Sequence, residues 1–178
     1  MLGLAPLARG VYIYLQRYVY IRRGTGIWCI GGDGMTKKDW TLLVVAAARS
    51  PLQPVQLQKV LFLIGEELSS TQRKTRSFYK FEPYDYGPFC SEVYADADLL
   101  AEDGFLQIGR PPGQSYRVYG ITSVGMERAD ELREDLDDSV RHYLDKIVLW
   151  VSGLNFRQLV SWIYHKYPRM RENSIFQD

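Results

Sequence analysis

The residues of this chain best suited to nucleophilic or metal chemistry are two cysteines, Cys29 and Cys90, and two histidines, His142 and His165. Their spacing forms neither a paired-cysteine motif nor a Cys/His ligand set, so a zinc site is not expected. Cys90 follows Phe89 in what reads as the first turn of a helix, where a thiolate would be stabilised. A free cysteine more often serves as a small packed group, and Cys90 is read that way. His142, beside Tyr143, reads as a surface or half-buried residue. Gly24-Thr25-Gly26 lacks the third glycine of a dinucleotide fingerprint, and no Gly-Lys-Ser/Thr appears. HExxH and nucleophile-elbow patterns are absent too. Glu102-Asp103 stands at a helix end rather than in a pocket. The residues predict a non-enzyme with no catalytic residues, no metal and no cofactor.

Binding chemistry is better represented. Tyr84, Tyr86 and Phe89 form a dense aromatic stretch with two readings: they seat the following helix against its neighbours, or they offer tyrosine anchors to a protein partner. With Glu92 and Asp96 they make the candidate partner-binding set. Arg73, Lys74, Arg76 and Lys80 form a basic cluster interleaved with Phe78 and Tyr79, and Arg110 and Arg117 flank a turn further on. These six are the alternative contact patch, for an acidic partner or a phosphate chain. Arg157, His165, Lys166, Arg169 and Arg171 gather near the C-terminus. The simplest reading of each cluster is a solvated surface.

The 178 residues hold 22 Lys+Arg against 21 Asp+Glu, with 46% hydrophobic and 13% aromatic residues. That length suits one domain with an appendage, and the composition excludes a disordered chain, a collagen-like repeat and a disulfide scaffold. No apolar run approaches the roughly 20 residues of a membrane span, and a cytoplasmic location is expected. A net charge of +1 removes the simplest argument for bulk nucleic-acid binding. Residues 1–34 differ from the rest: four arginines, no lysine, one acid and no serine, a charge of +3 against −2 for residues 35–178. They fit neither a secretory signal nor a transit peptide well. The composition favours a start at Met35 over a peripheral segment; if made, residues 11–21, β-prone and tyrosine-rich, would be a strand or an edge-pairing arm.

The elements that position the candidates follow from periodicity and caps. Thr36 with Asp39 opens a first helix, with Trp40, Leu43, Val44 and Ala47 on one face, ending at Ser50-Pro51. Pro54 opens a second, striped by Leu57, Val60, Leu61, Ile64 and Leu68. Residues 78–81 read as a short strand. Gly87 and Pro88 read as cap and first residue of a third helix, with Phe89, Val93, Ala97 and Leu100 inward and Gly104 as its stop. Residues 105–108 and 116–119 form a hairpin with a long turn. Thr122 caps a long helical region that breaks near Asp137-Asp138, and Asn155 with Gln158 caps a last helix ending at Pro168. The order predicts a mainly α (α+β) fold: winged-helix-like helices with a β-hairpin wing, then a long C-terminal helical region.

Two stretches resemble the Panacea domain family, which includes SocA-type antitoxins and phage-associated proteins. They are Leu57-Gln58-Lys59-Val60-Leu61-Phe62, and residues 81–94 centred on Tyr86-Gly87-Pro88 with Glu92-Val93-Tyr94 following. Where many members carry a base before Tyr-Gly, this chain has Asp85. The resemblance covers residues 36–170 in pattern and implies a single domain over 35–178. It also implies an antitoxin of a toxin–antitoxin system, neutralising a cognate toxin by direct binding. The alternative is a winged-helix transcriptional regulator acting on DNA, with repression of its own operon as one form. Against it, the third helix holds Glu92, Asp96, Asp98, Glu102 and Asp103 and no Lys, Arg, Asn or Gln. Such a rod is expected to repel phosphates and to prefer a polypeptide. The long connection from Ser69 to Gly87 also departs from the three- or four-residue turn of a DNA-reading helix pair.

Overall fold

The computed structural model describes the backbone of three strands within residues 12–30, and residues 34–176. The chain divides into two units, Met1–Gly34 and Met35–Asp178. In the first, β1 (Tyr12–Leu15), β2 (Tyr18–Arg23) and β3 (Gly26–Ile30) pair antiparallel in that order. Tyr12 stands opposite Ile21, and Val19 opposite Ile30. The stretch 11–21, expected as one strand or an edge-pairing arm, carries β1 and the first residues of β2. The side chain of Cys29 lies outside the described residues.

The second unit is mainly α with small antiparallel hairpins. Helix α1 (Lys37–Ala46) starts at the expected cap: the Asp39 amide donates to Thr36 Oγ1 and the Thr36 amide donates back to Asp39. It ends at Ala46, four residues short of the expected Ser50-Pro51 stop. Six consecutive residues, Trp40 to Val45, are buried, because α1 is covered by helices on several sides and by a strand. Thr41 tolerates this by sharing a 2.7 Å hydrogen bond with the Tyr79 hydroxyl. Helix α2 (Pro54–Glu67) begins with proline at its first position and is buried continuously from Leu57 to Ile64, Gln58 and Lys59 included.

Between α2 and the next helix the expectations are partly overturned. Residues 78–81 are not a strand. Tyr79 and Phe81 are drawn to the core instead, Tyr79 through Thr41 and Phe81 edge-on against Phe62 at 5.5 Å, which leaves the backbone there no strand partner. The strands are β4 (Glu82–Tyr84) and β5 (Gly87–Phe89), a tight hairpin pairing Tyr84 with Gly87 and Pro83 with Pro88. Gly87 and Pro88 thus belong to a strand rather than a helix start. Gly87 sits at φ +93°, where a side chain is strained, and a Cβ would press on Tyr164 at 3.3 Å. Helix α3 (Ser91–Glu102) begins after Cys90, so Phe89 precedes it, half-buried against Tyr84 and Tyr94. Gly104, at φ +80°, ends α3 as expected.

The second hairpin joins β6 (Leu106–Gly109) to β7 (Val118–Ile121), and Tyr119 exchanges two backbone hydrogen bonds with Leu52. Helix α4 (Ser123–Glu134) is capped by Thr122 and separated from α5 (Asp138–Ser152) by the expected break. Asn155 and Gln158 close a reciprocal capping box at the start of α6 (Phe156–Lys166). A 3-10 turn, Pro168–Arg171, follows. Among the described residues no helix is long and apolar enough to cross a membrane.

Candidate functional site

The two stretches singled out in the sequence meet at the β4–β5 hairpin. Gln58, on α2, is buried and makes two hydrogen bonds to one residue: its Oε1 accepts from the Cys90 amide at 3.0 Å and its Nε2 donates to the Cys90 carbonyl at 2.9 Å. The next residue, Lys59, donates from Nζ to the Pro88 carbonyl at 3.0 Å. Lys59 is 3% exposed, and desolvation lowers its amine to about 7. These bonds satisfy backbone groups that a two-stranded hairpin over a core would otherwise leave unpaired. From the other side, the chain after α6 zips along the turn. Asn173 Nδ2 donates to the Pro83 carbonyl at 3.1 Å, and the Ile175 amide donates to the Asp85 carbonyl at 3.1 Å. The Tyr164 hydroxyl bonds Ser174 Oγ at 2.6 Å.

A hairpin held on both sides presents its aromatic side chains outward. Tyr84 is 53% exposed and Tyr86 42%. Tyr84 lies 5.0 Å from Phe89, and Tyr86 meets Phe156 edge-on at 5.1 Å. Phe156, itself 39% exposed, continues to Phe176 at 6.0 Å, with Ile175, at 62%, beside it. Phe89 is shared: it packs on Tyr94 below and Tyr84 above. Of the two readings of the aromatic stretch, Phe89 fits the seating role, while Tyr84 and Tyr86 remain accessible.

The acids of α3 are not a bare anionic face. Glu92 pairs with Lys37, Asp103 with Lys38 at 3.3 Å, and Asp98 with Arg117 at 2.7 Å. Asp96 accepts from the Tyr79 hydroxyl at 2.7 Å, and burial holds that phenol far above its ordinary range. The expectation of a uniformly anionic rod is corrected: three carboxylates have cations beside them and a fourth serves the core. Glu92 stays exposed near the hairpin, whereas Asp96 is tied inward.

The alternative basic patch is also dispersed. Arg73 Nη1 donates to the carbonyls of Gly65 at 2.9 Å and of Leu68, capping the C-terminus of α2, and its guanidinium lies over Phe78 at 4.7 Å. Desolvation lowers its pKa. Lys74, at φ +51°, donates to the Asp135 carbonyl and lies near Asp137. Arg117 pairs with Asp98 and packs over Tyr94 and Tyr119. Arg76, Lys80 and Arg110 are exposed. A four-residue cationic cluster at 73–80 is therefore not what the fold displays, because two of its members hold the connection in place.

Cys90 is buried and desolvation pushes its thiol pKa up, opposite to what a reactive cysteine needs. Among the described residues no group of three or more His, Cys, Asp or Glu is close enough to hold a metal ion. Sequence reasoning missed Gln58 and Lys59 as inward polar groups and Phe156 as part of the exposed surface. The signal for the former was their position between Leu57 and the apolar run of residues 60–64. The protein-family models, the curated proteins and the solved structures compared with this chain give no match.

Proposed function

We propose that this chain is a non-enzymatic, antitoxin-like protein of Panacea type and winged-helix-like architecture, which binds and neutralises a cognate toxin. The observation behind this reading is the exposure of Tyr84 and Tyr86 on a hairpin that Gln58, Lys59 and the 173–176 segment hold rigid. Tyrosine anchors are enriched at interface hot spots, and a pre-ordered loop loses little entropy on binding. Gln58 and Lys59, which fix the hairpin from α2, lie in one of the two stretches that carry the family resemblance. A duplex-DNA regulator draws less support: Arg73, Lys74 and Arg117 serve contacts within the chain.

The test is co-expression with the product of the adjacent gene. That product is expected to arrest growth alone and to be relieved by this chain, but not by Tyr84→Ala/Tyr86→Ala. A harmless neighbour that does not bind, or shift of the chain's own promoter DNA at moderate salt, would turn the reading toward the regulator.

A further inference from the structure

Residues 81–109 carry acids but no Lys or Arg. Cations from elsewhere pair with Glu92, Asp98 and Asp103, and the Tyr79 hydroxyl donates to Asp96. On the β4–β5 hairpin, no salt bridge reaches Glu82 or Asp85 among the described residues. Resting on the partner-binding reading above, we propose that the partner seats an arginine-bearing segment on this hairpin. Its guanidinium groups are taken up by the Tyr84 ring and the carboxylates of Glu82 and Asp85.

Placement is the first support. Along β4 Pro83 is half-buried, while Glu82 and Tyr84 are exposed. Residues two apart in a strand share a face, so this carboxylate and this ring project together, roughly 7 Å apart along the backbone. Asp85 and Tyr86 form the turn that Tyr84 and Gly87 close. Ring and carboxylate thus alternate around the tip of the hairpin.

A completed version of the arrangement stands on the same aromatic row. Tyr84 packs on Phe89 at 5.0 Å, and Phe89 on Tyr94 at 5.8 Å. At the inner end Arg117 lies over Tyr94 at 5.9 Å, and its Nη1 donates to Asp98 at 2.7 Å. At the outer end Tyr84 and Glu82 repeat the ring and the carboxylate. Among the described residues no cation of the chain lies over Tyr84 or Tyr86. A guanidinium answers both groups at once, because it stacks on aromatic faces and its planar fork matches a carboxylate. A wholly apolar partner would strip water from Glu82 and Asp85 and leave the charges unpaired. A phosphate chain would bring charge of the same sign.

The experiment uses the full chain and fluorescence anisotropy with four labelled probes: the peptide (Gly-Arg-Leu-Arg)3, its lysine and glutamate counterparts, and a 12-nucleotide oligo-dT. The arginine peptide is expected to bind at least threefold tighter than the lysine peptide and at least tenfold tighter than the other two, weakening as salt rises. Glu82→Gln/Asp85→Asn should lose at least tenfold in affinity. Glu102→Gln/Glu134→Gln, the same change of charge at exposed positions elsewhere, should bind as wild type. Tyr84→Leu, which keeps apolar area but removes the ring, should lose at least threefold, and Tyr84→Phe should keep most of the affinity. Glu82→Gln alone, at an exposed strand position, should lose at least threefold with an unchanged thermal melt, so the carboxylate is read even where the Asp85 change disturbs the turn. No binding of the arginine peptide, binding no tighter than that of any other probe, or equal losses in the two double variants each overturns the inference. So does a dimer, seen in sedimentation, that Tyr84→Ala/Tyr86→Ala dissolves, since the face would then belong to a second copy. In the growth assay, failure of Tyr84→Ala/Tyr86→Ala with full rescue by Glu82→Gln/Asp85→Asn would remove the arginine contact and leave the partner-binding reading standing. Full rescue by both variants would remove both.

Discussion

The side-chain amide of Gln58 pairs with Cys90 as a backbone peptide would, accepting from its N–H at 3.0 Å and donating to its C=O at 2.9 Å. One side chain thereby replaces a missing strand at the edge of the β4–β5 hairpin. Removing it leaves two buried backbone groups unpaired, each costing about 1–3 kcal/mol. Gln58→Ala is expected to lower unfolding free energy by about 2–4 kcal/mol, measured by urea unfolding. Hydrogen exchange of the Cys90 amide should accelerate in the same variant.

Lys59 gives a pH signature. Its folded amine titrates near 7, while the unfolded side chain holds its proton to about 10.5. Between those values the unfolded chain binds the extra proton, so this group makes the protein more stable as pH rises from 7 toward 10. Below 7 both states are charged and the burial penalty is complete. Relative to Lys59→Met, the wild type should gain about 3–4 kcal/mol across pH 7–10. Parallel urea titrations of the two proteins read the difference, and two parallel curves would refute it.

Gly125 allows the close approach of α4 to the chain entering β6. A Cβ there would stand 2.0 Å from the Phe105 carbonyl oxygen, which is backbone and cannot turn aside. Gly125→Ala is expected to cost at least about 1–3 kcal/mol by overpacking, seen as a lower melting temperature. At Gly104 an added Cβ meets nothing within 4 Å, so Gly104→Ala carries only the left-handed backbone strain, about 1–2 kcal/mol.

Tyr84 and Tyr86 are expected to separate stability from binding. Both project from the hairpin with roughly half their surface accessible, so Tyr84→Ala/Tyr86→Ala should stay within about 1 kcal/mol of wild type in unfolding. Loss of the same rings from an interface typically costs 2 kcal/mol or more per hot spot, at least about thirtyfold in affinity. Calorimetry with the purified partner and a thermal melt of the free chain give the two numbers.

The sequence alone determined the elements whose signals are local. The Thr36–Asp39 and Asn155–Gln158 boxes, Pro54 at a helix start, the Gly104 stop and the break near Asp137 each depend on residues within one turn of one another. What the tertiary structure decided depends on distant partners. Residues 78–81 have β-prone side chains but no strand to pair with, since Thr41 and Phe62 claim Tyr79 and Phe81 for the core. Gly87-Pro88 suits a helix start by local rule, yet Lys59 and Gln58 hold it and Cys90 as an extended segment. The acids of α3 read as a repulsive face until Lys37, Lys38 and Arg117 arrive from α1 and the second hairpin to pair with three of them. Pairing of charges and burial of polar groups depend on which surfaces meet, and periodicity carries no record of that.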